Sequence, residues 1–193
     1  MVKAVIFDCF GVLVTDGWLP FVEEHFSGDA GKRRKAADYM VAVNRGMLDY
    51  RSLVHDVAEL AGVEEAIAYD QIMRNTPNEP LFEFIAHELK PKFKIGLLSN
   101  TGRDRLEELF TSEELDLFDD LSLSYETGYL KPQPEAYQIA AEGLSVAVGE
   151  CVFIDDQERR CEGARVTGML AICYQDFPSM KIELERILAE NSG

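Results

Sequence analysis

The sequence predicts an α/β fold in which a doubly wound parallel sheet carries a small helical insert. Three short apolar runs, over residues 2–7, 93–98 and 151–154, each stop abruptly at polar residues. Runs that are apolar on both faces are typical of central parallel strands, because helices cover both sides of such a sheet. Helical patterns over residues 103–110 and 135–144 separate these runs. The alternation of strands and helices predicts a Rossmann-like sheet.

Weaker patterns complete the predicted sheet domain. Residues 120–124 and 170–174 are rich in β-forming side chains and predict two further strands. Helical periodicity over residues 81–88, 157–167 and 179–190 predicts the helices that connect and cover the strands.

The segment from residue 15 to residue 80 has a different character. It contains almost no β-rich run, and helical periodicity recurs over residues 19–26, 32–44, 50–61 and 64–74 with glycine and proline between. The pattern predicts a helical insert after the first strand. The predicted domains are therefore a Rossmann-like core of residues 1–14 plus 81–193 and a helical insert of residues 15–80.

Composition and charge narrow the possible functions. The chain has 193 residues, of which 47% are hydrophobic and 28% charged, as in an ordinary soluble domain. No apolar run approaches the roughly 18 residues that a membrane span needs, and Asp8 interrupts the apolar N-terminus, which argues against a signal peptide. We expect a cytoplasmic protein that does not bind membranes.

The net charge of −16 argues against non-specific binding to nucleic acid, because the phosphate backbone is also negatively charged. Any site for an anionic substrate must therefore supply its own positive potential, from a metal ion, a lysine or oriented backbone amides. The four cysteines form no CxxC pair, which favours reduced thiols over a disulfide or a zinc site.

Polar side chains follow the three central predicted strands at the points where those strands end. They are Asp8, Ser99, Asn100, Asp155 and Asp156. In open α/β sheets ligands bind beyond the carboxyl ends of the strands. We therefore expect these five side chains to converge on one edge of the sheet and to form the functional site.

Four segments containing these residues resemble, in order, the four motifs of the haloacid dehalogenase superfamily. They are VIFDCFGVL at residues 5–13, LLSN at 97–100, KPQPEAY at 131–137 and FIDD at 153–156. The helical insert lies where this family carries its first class of cap. The resemblance spans nearly the whole chain and implies the same fold and a hydrolytic activity.

Asp8 is the predicted nucleophile. A carboxylate at a strand end can attack phosphorus and form a phosphoaspartyl intermediate, which divides one difficult hydrolysis into two easier displacements. A carboxylate and a phosphate repel each other, so the site needs a hard cation with oxygen ligands, and Mg²⁺ is suitable. Asp8, Asp155 and Asp156 can supply these ligands, and the resemblance implies the main-chain carbonyl of Phe10 as another.

Charge on the transferring phosphoryl group must be balanced by nearby donors. Lys131 provides a positive charge, while Ser99 and Asn100 provide hydroxyl, amide and backbone donors. We therefore predict Asp8, Ser99, Asn100 and Lys131 as catalytic residues. Gly11 is expected to permit the tight turn after Asp8.

The sequence departs from the family pattern at Phe10. Phosphatases of this family usually carry a second Asp there as general acid and base, and losing such a group typically costs about 10² to 10⁴ in rate. The favoured interpretation is a phosphatase whose leaving group needs little protonation, or in which water or a cap residue supplies the proton. The alternatives are a non-catalytic binding or regulatory protein and a metal-independent 2-haloacid dehalogenase.

An aromatic residue at position 10 favours the dehalogenase, since the family's 2-haloacid dehalogenases carry a Tyr there. The Asp155–Asp156 pair opposes it, because two carboxylates beside an anionic haloacid would need a neutralising cation. A small cap fits a small phosphorylated metabolite, with phosphosugars as the first expectation. The sequence assigns no role to the six residues of the insert that could line the pocket, namely Trp18, Phe21, His25, Tyr39, Asn44 and Arg45. We expect a monomer or a homodimer.

Overall fold

A computed structural model describes residues 1–103 and 105–191. Its centre is a five-stranded parallel sheet with the strand order β3-β2-β1-β4-β5. The strands are β1 (Ala4–Phe7), β2 (Lys94–Ser99), β3 (Asp120–Leu123), β4 (Cys151–Asp155) and β5 (Leu170–Cys173). The predicted α/β class is confirmed.

The register of the central strands brings their carboxyl ends to one line. Phe7 of β1 pairs with Leu97 of β2 on one side and with Ile154 of β4 on the other. The residues that follow these three positions therefore emerge at the same edge. The chain builds outward from β1 in one direction through β2 and β3 and in the other through β4 and β5, and such a switch point opens a crevice for ligands.

Both faces of the sheet are buried, as the apolar runs predict. Val5 and Phe7 belong to one hydrophobic cluster, whereas Ala4 and Ile6 belong to a second cluster on the opposite face. Successive side chains of a strand point to opposite faces, so a fully apolar strand supplies two cores at once.

Eleven α-helices connect or cover the strands in the described residues. They are α1 (Trp18–Phe26), α2 (Ala30–Asn44), α3 (Tyr50–Ala61), α4 (Glu65–Met73), α5 (Glu79–Phe84), α6 (Arg105–Leu109), α7 (Ser112–Leu115), α8 (Ser124–Thr127), α9 (Pro134–Gly143), α10 (Glu158–Thr167) and α11 (Phe177–Glu190). No described helix is long and apolar enough to cross a membrane.

Helices α1 to α4 lie between β1 and β2 and pack around a hydrophobic cluster of their own, which includes Phe21, Leu53 and Val57. Helix α3 illustrates the local signals. The Asp49 side chain accepts a hydrogen bond from the backbone N–H of Ser52 at its start, and Gly62 in the left-handed conformation ends it. We call residues 15–80 the helical insert.

The two chain segments that join the helical insert to the sheet run side by side. The Thr15 N–H donates to the carbonyl of Thr76 at 3.0 Å, and Val14 and Pro77 form an antiparallel bridge. The first segment follows β1 and the second leads into α5, so the insert is attached beside the carboxyl end of β1.

Element boundaries differ from the predictions by a few residues. The predicted strand over 120–124 ends at Leu123, because Ser124 starts the short helix α8 and its hydroxyl donates to the carbonyl of Asn44 at 2.6 Å. The predicted helix over 81–88 begins earlier and continues as a π-helical turn, Ile85–Leu89. The predicted helix over 103–110 is observed as α6, and Asp104 lies outside the described residues. The four-residue helices α7 and α8 were not predicted.

Candidate active site

Asp8 stands immediately after β1 and is almost completely buried, with 1% of its surface exposed. Its Oδ1 accepts a hydrogen bond from the Cys9 backbone N–H at 2.7 Å. The two carboxylate oxygens face different cations: Oδ1 lies 2.7 Å from the Lys131 ammonium, and Oδ2 lies 2.8 Å from the Arg160 guanidinium. A buried carboxylate with both oxygens paired is fixed in orientation.

Lys131 joins three strand ends through one ammonium group. Besides Asp8, its Nζ donates to the Leu98 carbonyl and to Oδ2 of Asp155, both at 2.8 Å. The three acceptors match the three protons of an ammonium group, and the side chain is fully buried. Lys131 therefore balances the negative charges of Asp8 and Asp155 within the protein.

Asp155 and Asp156 end β4 and differ in their partners. Oδ1 of Asp155 accepts from the Gln157 backbone N–H at 2.9 Å, whereas Oδ1 of Asp156 is buried and has no hydrogen-bond partner among the described residues. Carboxylate oxygens of Asp8, Asp155 and Asp156 lie within 4.8 Å of one another. A buried oxygen without a partner, close to two other carboxylates, suits a cation-binding site.

The crowding of these carboxylates shifts their proton affinities. Burial, followed by the charge of Asp155, raises the pKa of Asp8 to about 6. Burial, followed by the charges of Asp8 and Asp155, raises the pKa of Asp156 to about 7. Burial also acts on Asp155, but Lys131 and Arg160 outweigh it and lower the pKa of Asp155. A cation at this point would keep all three groups ionised.

Gly11 allows the loop after β1 to pass close to the Asp156 carboxylate. Its φ of +86° lies in the left-handed region, and a Cβ atom at this position would stand 2.5 Å from Oδ2 of Asp156. Any larger residue would displace the Asp156 carboxylate. The glycine therefore serves both the turn and the space beside the clustered acids.

Ser99 and Asn100 follow β2 at the same edge. The Ser99 hydroxyl is buried and has no hydrogen-bond partner among the described residues. The Asn100 side chain bonds the Lys131 backbone in both directions: Oδ1 accepts from the Lys131 N–H at 2.8 Å, and Nδ2 donates to the Lys131 carbonyl at 3.1 Å. The Asn100 side chain therefore fixes the backbone of Lys131, whereas the Ser99 hydroxyl has no partner among the described residues.

Arg160 is a component of the site that the sequence reasoning missed. It lies on the first turns of α10, and its guanidinium stands 2.8 Å from Oδ2 of Asp8 and 3.6 Å from Oδ1 of Asp155. The sequence signal was the pair Arg159–Arg160 on the helix after the acidic motif. The structure shows that Arg160 lies on the face of α10 toward Asp8, whereas Arg159 lies on the exposed face.

A cavity of about 200 Å³ opens between the sheet edge and the helical insert. The sheet side contributes Asp8, Phe10, Asn100 and Arg160 among others. The insert side contributes the carboxylate of Asp16 and six apolar or neutral side chains, namely Trp18, Leu19, Met40, Asn44, Tyr50 and Ile72. Of the insert residues that the sequence suggested as possible lining, Trp18 and Asn44 reach the cavity, whereas Phe21 is buried in the core of the insert.

A second group of possible metal ligands lies on the far side of the acidic motif. Glu158, Cys161 and Cys173 have ligand atoms within 4.8 Å of one another. Glu158 is already paired with the Arg165 guanidinium at 2.5 Å, and both thiols donate to backbone carbonyls. These contacts give the carboxylate and both thiols partners within the protein.

The chain belongs to the haloacid dehalogenase-like hydrolases. The model of this hydrolase family matches residues 2–168, which is most of the chain. The family assignment agrees with the four motifs and with the geometry of the sheet edge. The predicted membership of this superfamily is confirmed.

Two curated relatives cover parts of the chain. A protein of Mycobacterium tuberculosis named Phosphatase MT3486 is 46% identical over 85 residues, which are 40% of this chain and 37% of that protein. Bifunctional epoxide hydrolase 2 of Rattus norvegicus is 30% identical over 116 residues, which are 57% of this chain and 21% of that protein. The matches thus span well under half the length of either relative.

Solved structures share the fold. A haloacid dehalogenase family enzyme of Bacteroides thetaiotaomicron, in complex with magnesium and inorganic phosphate, has a TM-score of 0.68 at 22% identity, covering 93% of this chain and 99% of that one. An L-2-haloacid dehalogenase of Xanthobacter autotrophicus has a TM-score of 0.64 at 25% identity, covering 96% of this chain and 83% of that one. Both phosphate-binding and dehalogenating enzymes are therefore built on this architecture.

Proposed function

We propose that the protein is a Mg²⁺-dependent phosphatase that hydrolyses a small phosphate monoester through a phosphoaspartyl intermediate on Asp8. The observation that carries the proposal is the cluster of three carboxylates at the sheet edge, in which a buried oxygen of Asp156 has no partner among the described residues. The similarity to a mycobacterial phosphatase supports the same activity.

The ligand chemistry fits Mg²⁺. Asp8, Asp155 and Asp156 offer hard oxygen donors, and Gly11 leaves the space that a larger side chain would fill beside Asp156. These three carboxylates would hold the ion, together with the carbonyl of Phe10 that the family resemblance implies. When bound, Mg²⁺ supplies positive charge that reduces the repulsion between Asp8 and the phosphate.

The protein's own residues prepare the attack. Lys131 and the Cys9 N–H hold Oδ1 of Asp8, so that the carboxylate keeps one orientation while its other oxygen faces Arg160. Two arginines among the described residues line the cavity, Arg105 and Arg160. Arg105 is bonded to Glu108 and to the Met73 carbonyl, whereas Arg160 lies beside Asp8 and is therefore the proposed partner of an entering phosphate. The unpaired Ser99 hydroxyl is a further donor for phosphoryl oxygens.

The helical insert is proposed to act as the cap that selects the leaving group. Its apolar and neutral side chains form the wall of the cavity opposite Asp8, and a cavity of about 200 Å³ accommodates a small organic group. The proposed substrate class is a small phosphorylated metabolite, such as a sugar phosphate.

Dehalogenation is the second candidate, because a dehalogenase shares the fold and Phe10 is aromatic, like the Tyr that the family's 2-haloacid dehalogenases carry at this position. The adjacent carboxylates of Asp155 and Asp156 argue against dehalogenation. Asp156 adds a carboxylate to a site that already contains Asp8 and Asp155, and a haloacid would bring a further negative charge.

The test is a panel of phosphate esters and 2-chloropropionate assayed with Mg²⁺ and with a chelator. The wild-type protein is expected to release phosphate only with the metal, and Asp8→Asn is expected to reduce the rate by about 10³-fold or more. Asp116→Asn, which changes an exposed carboxylate after α7, is the matched control and is expected to keep full activity. Chloride release without metal would identify a dehalogenase instead, and a wild-type protein inert to every ester would contradict the proposed activity and favour the non-catalytic alternative.

A further inference from the structure

A phosphatase that lacks an acid at position 10 needs another proton donor when its leaving group is an ordinary alcohol. The alkoxide of a sugar or a hydroxy acid is a poor leaving group, and protonation of its oxygen lowers the barrier to bond cleavage. The Phe10 side chain lines the cavity but carries no transferable proton. The inference below rests on the proposed phosphatase activity.

The loop after β1 folds back on itself and returns the chain to the cavity. The N–H groups of Leu13 and Val14 both donate to the Cys9 carbonyl, at 2.9 and 3.0 Å, and Val14 forms a bridge with Phe10. Two residues further on, the half-buried side chain of Asp16 lines the same cavity as Asp8. Asp16 thus stands at the root of the helical insert, on the cavity wall.

The described residues that line this cavity include two carboxylates, Asp8 and Asp16. Asp8 has both oxygens engaged by cations and is the proposed nucleophile, which leaves Asp16 as the carboxyl group available for proton transfer. The other acidic group on the wall is the Tyr50 phenol. Its oxygen lies 3.3 Å from the Thr101 hydroxyl and accepts from the Gly102 N–H at 3.4 Å.

The surroundings of Asp16 suit a group that must both give and take a proton. Its Oδ1 accepts a hydrogen bond from the Trp18 N–H at 2.8 Å, which fixes the side chain against the start of α1. Burial raises the pKa of Asp16, and the backbone N–H groups of Trp18 and Leu19 and then the charge of Arg160 offset part of that rise. A carboxyl group that holds its proton more tightly than a free Asp is suited to donate it to a leaving oxygen at the moment of bond cleavage.

We infer that Asp16 is the general acid and base of this enzyme. It would take the role of the second Asp that phosphatases of this family usually carry at position 10. As Asp8 Oδ2 or Oδ1 bonds to phosphorus and the ester P–O bond breaks, the Asp16 carboxyl proton passes to the leaving oxygen, and an alcohol departs. In the second step a water oxygen attacks phosphorus and its proton passes to the Asp16 carboxylate. The Asp8–phosphorus bond breaks, which releases inorganic phosphate and restores both side chains.

The test is Asp16→Asn assayed against phosphate esters whose leaving groups differ in basicity. Asparagine keeps the oxygen that accepts from Trp18 but cannot transfer the proton. For glycerol phosphate, an alkyl ester, kcat/KM is expected to fall by about 10²-fold or more, because the alkoxide needs protonation. For 2,4-dinitrophenyl phosphate, whose phenolate leaves unassisted, kcat/KM is expected to change by less than about fivefold.

The second step gives an independent readout with the same variant. Without a base for water, Asp16→Asn should release one equivalent of dinitrophenolate in a burst and then turn over slowly, so that kcat falls while kcat/KM is kept. A purely structural role of Asp16 would not produce this split. Asp29→Asn is the matched control, since Asp29 also accepts backbone N–H bonds at a helix start, and it should behave as wild type.

The outcomes separate this inference from the proposed function. Equal losses on alkyl and dinitrophenyl esters, or no loss on either, in an active enzyme would overturn the role of Asp16 and leave the phosphatase proposal standing. The same leaving-group dependence in Tyr50→Phe, with Asp16→Asn unaffected, would assign the proton to Tyr50. A wild-type protein inert to every ester would overturn both.

Discussion

The carboxyl edge of the sheet contributes buried and mutually bonded charges to the cavity, whereas the helical insert contributes mainly apolar and neutral side chains. At the edge, Lys131 holds Asp8 and Asp155 at 2.7 and 2.8 Å with no exposure to solvent. On the insert side, Leu19 is partly exposed, and the hydrophobic cluster of the insert is separate from the two clusters of the sheet.

In the proposed phosphatase, this difference would assign the reacting groups to the sheet edge and the choice of substrate to the insert. The charge network depends on strands whose register is fixed by a continuous sheet, so its groups cannot move far without breaking several strong contacts. The insert joins the sheet through two adjacent segments near residues 14–16 and 75–78. Substitutions at the sheet edge should therefore alter catalysis and stability together, whereas substitutions on the cavity face of the insert should alter substrate choice.

The largest expected effect comes from Lys131→Met. The change leaves Asp8 and Asp155 buried without their shared ammonium, which should lower the free energy of unfolding by about 3–5 kcal/mol and abolish turnover. Urea unfolding in the absence of Mg²⁺ measures the loss. Lys94→Met, which removes an exposed lysine 3.7 Å from Asp119, should cost less than about 1 kcal/mol.

A double variant checks the electrostatic cause of that loss. Adding Asp155→Asn to Lys131→Met removes one of the two facing carboxylates, so part of the lost stability should return. If Lys131→Met is no more destabilising than Lys94→Met, the buried network does not hold the sheet edge together, and the contrast between edge and insert disappears.

A smaller and more selective effect is expected from Trp18→Ala in the helical insert. Trp18 lines the cavity, so its removal should change the ratio of kcat/KM between a bulky aryl phosphate and acetyl phosphate by about 10-fold or more. Phosphate release from acetyl phosphate, whose leaving group is small, should remain close to the wild-type rate.

The control for Trp18→Ala is Leu53→Ala, a cavity-creating change in the core of the insert. Leu53 is fully buried and does not line the cavity, so this variant should lose about 2–5 kcal/mol of stability without altering the ratio between the two esters. Equal shifts in both variants would mean that the insert acts through its general stability and does not read the leaving group.

The sheet and its edge could be predicted because most of the predicted site residues stand where an apolar strand ends. Runs that are apolar on both faces predict central parallel strands, and the carboxyl ends of such strands meet at one edge of the sheet. The residues that end these runs are Asp8, Ser99 and Asp155. Lys131 lies in a loop, and only the motif resemblance marked it. The structure adds the reason for its position, since Asn100 bonds its backbone from the end of β2.

Arg160 and Asp16 could not be predicted in the same way. Arg160 depends on the rotation of α10, which decides which of two adjacent arginines faces Asp8. Asp16 depends on how the loop after β1 curls and where the helical insert attaches, and both are tertiary contacts between distant segments. The wall of the cavity likewise depends on how the insert packs over the sheet, which helical periodicity alone leaves open.

Chemical trapping on Asp8 tests the central claim most directly. Wild-type protein turning over an aryl phosphate with Mg²⁺ would be quenched rapidly in acid, digested and analysed by mass spectrometry. A phosphoryl group on the peptide that contains Asp8, released by hydroxylamine and absent in Asp8→Asn, is the predicted result. Full phosphatase activity with the phosphoryl group on another residue, or full activity in Asp8→Asn, would contradict the account.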